Sequence, residues 1–284
     1  MRTIFLSLFL CVSIHGQAKY PPAMAGAKTE GYKTIGDVKL NLYIYEPAGH
    51  KPADKRAAIV FFFGGGWKNG SPAQFENHCK YLASRGMVAI SADYRVSSRN
   101  HTKVPDAIRD AKSAIRFVRQ NAGRLGIDPS RIAAGGGSAG GHLAAATGVI
   151  DGQEEVGEDL KVSSRPNAMV MFNPALVLPD MDTTEMAGIP HQQVSPIEHV
   201  KTGAPPAIIF HGKADTTVPY NTAEAFTAKM TANGNKCKLV GYEGQVHGFF
   251  NYGRSDNNKY YTETVREADN FLVSIKFLKG TPTI

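Results

Sequence analysis

Ser138 stands in the run Gly136-Gly137-Ser138-Ala139-Gly140, where small neighbours let the backbone bend sharply without side-chain collision. The apolar stretch Arg131-Ile132-Ala133-Ala134 leads in, and the helix formers His142-Leu143-Ala144-Ala145-Ala146 lead out. A strand that becomes a helix within a few residues forces the turn into a sparsely populated backbone region. It also lifts the serine hydroxyl clear of the sheet, as in a G-x-S-x-G elbow. By itself the run reads equally well as a glycine-rich helix start. A serine hydroxyl is a weak nucleophile at neutral pH and needs a base within reach. Histidine is the usual base, because it titrates near working pH. A carboxylate then fixes its tautomer and steadies the imidazolium.

Two later segments supply those groups. Phe210-His211-Gly212-Lys213-Ala214-Asp215 places Asp215 just beyond an apolar run, and Gly244-Gln245-Val246-His247-Gly248-Phe249 places His247 in a loop. Separately, Asp215 reads as a turn cap and His247 as an ordinary polar loop residue. Together with Ser138 they read as one site for acyl transfer. Asp180 and Asp182 are rivals for the acid role, and His211 is expected to pack or bond locally. Acyl transfer also needs donors for a developing oxyanion. Gly64-Gly65-Gly66-Trp67 follows an apolar run, so its amides can face the site with no side chain in the way.

These residues need a sheet whose strands end on one side, where sites of doubly wound proteins collect. The runs Ala57–Phe63, Met87–Ile90, Ala168–Phe172 and Ala207–Phe210 are continuously apolar, as strands covered on both faces are. Val38–Tyr45 alternates and reads as a half-buried strand near an edge; Lys238–Tyr242 gives the last strand. Helices are expected after the Ser71-Pro72 cap and from Pro105, after the Ser138 elbow, from an Asn221-Thr222-Ala223-Glu224 cap, and over Val265–Ile275. Arg109, Lys112, Arg116 and Arg119 share one face of the Pro105 helix, expected to meet solvent. The acidic stretch Glu154–Asp159 is likewise expected to be exposed. Strands alternating with helices imply an α/β fold: a doubly wound, mostly parallel sheet with helices on both faces.

With 284 residues and 42% hydrophobic content, one catalytic domain over 19–284 is the default. Residues 1–18 have the layout of a secretory signal: Arg2, a short apolar core over Ile4–Val12, and small residues at Gly16 and Ala18. A secreted or periplasmic protein without membrane insertion is expected. Cys11 would leave with the signal. Cys79 and Cys237 make no disulfide framework, and Cys79 reads as a small buried hydrophobe. The formal charge of +7 is spread along the chain, and nothing resembles a nucleic-acid module. No metal motif, phosphate loop or dinucleotide fingerprint is present, so no cofactor or metal is expected.

From Val38 to Phe277 the chain resembles the α/β-hydrolase superfamily, in particular its esterase/lipase branch with an H-G-G-G-type loop. It is similar to the dienelactone-hydrolase-like feruloyl and acetylxylan esterases. The matching stretches are Gly64–Trp67, Asp93-Tyr94-Arg95, Gly137–Leu143, His211–Asp215 with Val218-Pro219-Tyr220, and His247-Gly248-Phe249. The resemblance implies Ser138 as nucleophile, His247 as base and Asp215 as its orienter. It also implies oxyanion donors at Gly65, Gly66 and Ala139, and structural roles for Asp93 and Arg95. The order Ser138, Asp215, His247 is the order of that superfamily.

Phe63 departs from the pattern, standing where the family carries histidine. The loop is then expected to be held by packing, with Trp67 the candidate partner. The N-terminal cap helices of many lipolytic relatives have no counterpart, so an open site without a large cap is expected. The implied activity is a secreted serine carboxylesterase on short-chain esters, with a small-molecule or polysaccharide ester as substrate. Met181, Met186 and Ile189 are expected in one wall of its acyl pocket. Phe249, Phe250 and Tyr252 are expected either as a second wall or as core. An exopeptidase or acyl-peptide hydrolase, and a non-catalytic binding protein on the same fold, are the competing readings.

Overall fold

Arg56–Phe62 forms strand β3, and its alternate residues divide the core. Ala58, Val60 and Phe62 pack into one apolar cluster, Ala57, Ile59 and Phe61 into another, because successive side chains of a strand point to opposite faces. The structure is a computed structural model that describes residues 20–178 and 187–284. The expected signal peptide and Asp180, Met181, Asp182 and Met186 lie outside the described residues. β3 is joined by β1 (Lys28–Ile35), β2 (Val38–Tyr45), β4 (Val88–Ala92), β5 (Ile127–Gly137), β6 (Ala168–Phe172), β7 (Ala207–Gly212) and β8 (Cys237–Tyr242). Among the described residues these form one sheet, in the order β1-β2-β4-β3-β5-β6-β7-β8. β2 pairs antiparallel with β1 and with β4, and every other pair, β4 with β3 included, is parallel. β1 is legible only in space, since its sequence KTEGYKTI is polar and it forms the exposed edge.

The helices are α1 (Glu76–Ser84), α2 (Ser97–Asn100), α3 (Val104–Gln120), α4 (Ala139–Val149), α5 (Tyr220–Ala232) and α6 (Lys259–Ser274). α3, α4 and α5 cover one face of the sheet, α1 and α6 the other. This is the doubly wound arrangement. Among the described residues, no helix is long and apolar enough to cross a membrane. Cys79 is buried between α1 and the sheet, and both Cys79 and Cys237 are free thiols.

Three expectations are corrected. The basic face of α3 meets solvent only in part: Arg109 and Arg119 are partly exposed, but Lys112 and Arg116 are buried. Lys112 Nζ donates to the Ile150 carbonyl and to Glu154 Oε1, each at 2.7 Å, and Arg116 pairs with Glu154 and Glu158. The acidic stretch is correspondingly half-covered, with Glu155 also 2.7 Å from Lys33. Two charged segments remote in sequence thus neutralise one another, since a buried charge is costly unless paired. Third, Asn221 does not cap α5. Pro219 takes the cap position with φ −59° and ψ 136°, and the helix begins at Tyr220.

Candidate active site

β5 ends at Gly137, and Ser138 occupies φ 54°, ψ −121° before α4 begins at Ala139. That is a strained conformation for a residue with a side chain. The surroundings over-determine it. A Cβ on Gly136 would strike the Gly140 carbonyl, and one on Gly140 would strike the carbonyls of Phe62 and Phe63. The Ser138 amide donates to the Phe172 carbonyl at 2.9 Å, and its carbonyl accepts from His142 N at 2.9 Å. His142 is fully buried and its Nε2 lies 2.7 Å from the Val194 carbonyl, so Nε2 carries the proton. Burial lowers its pKa to about 4, which keeps the ring neutral.

Asp215 follows β7, and His247 follows β8. Their side chains meet, with His247 Nδ1 2.7 Å from Asp215 Oδ2. The carboxylate can only accept, so Nδ1 donates and Nε2 is left as the basic nitrogen. The other carboxylate oxygen accepts the amides of Thr217 and Val218, both at 2.9 Å. Burial pushes the Asp215 carboxyl up, but hydrogen bonds with His211, His247 and the Val218 amide outweigh it and hold the group well below the usual carboxylate range. His211 bonds locally as expected, its Nε2 2.8 Å from the Val218 carbonyl. Asn173, not singled out from the sequence, donates from Nδ2 to Asp215 Oδ2 at 2.6 Å, from a buried position with φ 43°. Its only signal was an asparagine at the end of an apolar strand, a residue that tolerates positive φ.

Ser138 borders two cavities. One, of about 490 Å³, is shared with Gly65, His247, Gly248, Gln74 and Asn251. The other, of about 510 Å³, is walled by Trp67, Ala139, Ala175, Val177, Leu178 and Val218. Gly66 borders both. The three expected oxyanion positions therefore lie around the serine, and as the first residue of a helix Ala139 has no intrahelical acceptor for its amide. The start of the long loop after β6 supplies a wall through Ala175, Val177 and Leu178. Ile189 does not; it packs against the core. Phe249 and Phe250 are buried, Phe250 also bordering the first cavity, whereas Tyr252 is exposed.

Phe63 is held by packing, but not against Trp67. It stacks on Tyr94 with ring centroids 4.0 Å apart, and Tyr94 Oη donates to the Phe63 carbonyl at 2.8 Å. Trp67 instead meets His142 edge-on at 4.9 Å. Asp93 and Arg95 border neither cavity. Asp93 binds the Tyr20 hydroxyl and the Tyr94 amide, and Arg95 grips Asp110 through Nε and Nη2, each at 2.8 Å.

A sheet of this topology with a serine elbow after its fifth strand is the architecture of α/β-hydrolases. The BD-FAE family profile matches residues 42–192, and the dienelactone hydrolase family profile residues 161–276. Esterase 2 of Thermogutta terrifontis, in its apo form, is 53% identical with a TM-score of 0.90, covering 93% of this chain and 100% of that one. Its propionate-bound form is 52% identical with a TM-score of 0.89, covering 93% and 99%. Solved forms of that esterase also include one with butyrate bound and one phosphorylated by paraoxon. Esterase LipC of Mycobacterium tuberculosis is 32% identical over 222 residues, 70% of this chain and 54% of its own. The chain spans about half the length of the first curated relatives it matches. The chain belongs to the BD-FAE family of α/β-hydrolase esterases.

Proposed function

We propose that the protein is a serine carboxylesterase of short-chain esters, with Ser138 as nucleophile, His247 as base and Asp215 as the group that orients it. The observation that carries this is the 2.7 Å bond between His247 Nδ1 and Asp215, made at the rim of a cavity that His247 shares with Ser138. Ser138 Oγ attacks the ester carbonyl carbon while its proton passes to His247 Nε2. The carbonyl oxygen becomes an oxyanion that accepts from the amides of Gly65, Gly66 and Ala139. Collapse of the tetrahedral intermediate expels the alkoxide, which takes the proton from His247. Water, deprotonated by the same nitrogen, then attacks the acyl carbon; the bond to Ser138 Oγ breaks, His247 returns the proton to Oγ, and the acid leaves.

The division of the site into two cavities follows from this chemistry. The leaving oxygen must lie next to the imidazole that protonates it. The alcohol therefore occupies the cavity bordered by His247, and the acyl group the one walled by Trp67, Ala175, Val177 and Leu178. Short acyl groups are supported by the relative solved with propionate and with butyrate bound.

Acetyl or feruloyl esters on polysaccharides outside the cell are the natural substrates we propose. The similarity to feruloyl and acetylxylan esterases and the export signal read at residues 1–18 support this, as do the exposed Val246 and Tyr252 flanking the histidine loop. N-terminal sequencing of the exported protein should find the first eighteen residues removed. An acyl series from acetate to palmitate, run beside acetylated xylan, methyl ferulate and matching amides, tests the substrate. Highest kcat/KM on long chains overturns the short-acyl reading. Amide turnover above ester turnover favours a peptidase, and turnover of neither carbohydrate-related substrate removes the polysaccharide claim. Ser138→Ala should lower kcat/KM by roughly 10³-fold or more with the fold intact. Asp215→Asn should be severe and Asp182→Asn tolerated; the reverse result would reassign the acid.

A further inference from the structure

Gly64, Gly65 and Gly66 have no side chains with which to hold themselves. Gly65 and Gly66 sit at φ 121° and 61°, a region that glycine enters freely and as freely leaves. Phe63 offers a ring where the related loop pattern carries a hydrogen-bonding imidazole. Within the loop the Lys68 and Asn69 amides donate to the Gly65 carbonyl, each at 3.1 Å; further polar bracing comes from elsewhere in the chain. The Gly64 N–H donates to Gln74 Oε1 at 2.6 Å, Gln74 Nε2 donates to Asn251 Oδ1 at 2.9 Å, and Asn251 Nδ2 donates to the Gly248 carbonyl at 2.8 Å. The direction of this relay is forced. A backbone N–H at one end can only donate and a carbonyl at the other can only accept, so each side-chain amide has one consistent orientation. The relay runs from the glycine loop to the residue after His247, and all four of its members border the cavity that contains Ser138.

We propose that Gln74 is a positioning residue for the oxyanion loop, pinning Gly64 directly and setting its distance from the histidine loop through Asn251. The inference rests on the ester-hydrolase reading above. Because Gln74 occupies the Gly64 amide, that donor is spent, and the place where Gly64 is pinned aims the Gly65 and Gly66 amides that follow. The pinned residue lies against the elbow itself: a Cβ on Gly64 would stand 3.0 Å from the Gly137 carbonyl and 3.2 Å from Ser138 Cβ. A shift of the loop therefore moves the oxyanion donors relative to the nucleophile. A displacement of about 1 Å in such a constellation costs on the order of 10²-fold in rate. The oxyanion is common to every ester, so the loss must not depend on the alcohol.

The test uses Gln74→Leu, Asn251→Leu and the double variant, assayed on acetate esters of two alcohols of different size. Gln74→Leu should lower kcat by roughly 10- to 100-fold, equally for both alcohols, with KM held within about twofold. Asn251→Leu, which spares the bond to Gly64, should cost less. The double variant should be no slower than Gln74→Leu, since both changes cut one relay. Unchanged kcat, a loss carried by KM, or a loss that differs between the alcohols would overturn the assignment. Amide hydrogen exchange at Gly64 reads the same relay without turnover, and Gln74→Leu should accelerate it at least tenfold. Unaccelerated exchange counts against Gln74. A wild-type protein that hydrolyses no ester, with Gly64 exchange still sensitive to Gln74, counts against the ester reading instead.

Discussion

The serine elbow and the glycine loop are both glycine-rich turns at strand ends, a few ångströms apart, and they are held by different means. At the elbow the glycines are required by contact, since side chains on Gly136 or Gly140 would strike backbone that cannot move aside. At the loop the requirement is divided: a Cβ on Gly65 would strike the Asn69 carbonyl, whereas one on Gly66 would meet nothing within 4 Å. Gly66 is needed for its φ of 61°, and the shape is set by the Lys68 and Asn69 amides that donate to the Gly65 carbonyl together with Gln74, Tyr94 and Asn251. The elbow is rigid through its own sterics, whereas the loop, besides its own bonds to the Gly65 carbonyl, is tied to distant side chains. In the proposed reaction one turn positions the nucleophile, and the other presents amides whose aim is set by separate parts of the chain.

The contrast can be broken most directly at its extremes. Gly140→Ala forces a methyl group into the carbonyls of Phe62 and Phe63, and should cost about 3 kcal/mol of stability and nearly all activity. Gly66→Ala, with open space but positive φ, should cost about 1 kcal/mol. Thermal unfolding of the two variants side by side checks this. Equal losses would mean that contact is not what separates the two turns.

A smaller effect lies where the turns touch. Trp67, the single tryptophan of the chain, sits on the loop and meets His142 of the elbow helix. Burial lowers the His142 pKa to about 4, below its value in an unfolded chain. Its contribution to stability is therefore present above about pH 6.5 and is lost as pH falls toward 4, amounting to about 3 kcal/mol. His78, lowered to about 3 by burial among aromatic rings, acts in the same direction. Asp93, raised to about 6 by burial, opposes them by gaining stability as pH falls through that value. Tryptophan fluorescence should stay flat from pH 8 to 6 and change only as pH nears 4. A transition centred near 6.5 would show that His142 titrates as an ordinary exposed histidine.

The smallest expected effect is at Phe63. Its ring stacks on Tyr94 while Gln74 supplies the polar brace, so Phe63→His should be neutral or lose up to about 1 kcal/mol, with no gain in kcat. Titration by denaturant together with initial rates on an acetate ester reads both. A large gain in turnover would show the loop to be under-braced.

The elbow was legible because its constraint is local: small residues around Ser138, an apolar run before and helix formers after permit the bend, and Asp215 and His247 at later strand ends singled it out from a plain helix start. The buried strands were legible for a similar reason, as continuous apolar runs have few other places to go. Asp215 and His247 could be placed at strand ends by the same logic. That their side chains meet at 2.7 Å depends on the parallel pairing of β7 with β8. Asn173, Gln74 and Asn251 left almost no trace, because an amide side chain acquires a role only from its partner, and Gln74 and Asn251 are 177 residues apart. The charged face of α3 was misread on the same ground. Hydropathy assigns Lys112 and Arg116 to water, and only the folding-back of Glu154 and Glu158 gives those charges partners inside the protein. What the sequence determined by itself is whatever neighbouring residues enforce through sterics and hydrophobic periodicity: strands, helices, the bend at Ser138. The tertiary structure decided the pairings, because hydrogen bonds and ion pairs are directional and short-ranged, and their partners are chosen by how the sheet brings remote loops together.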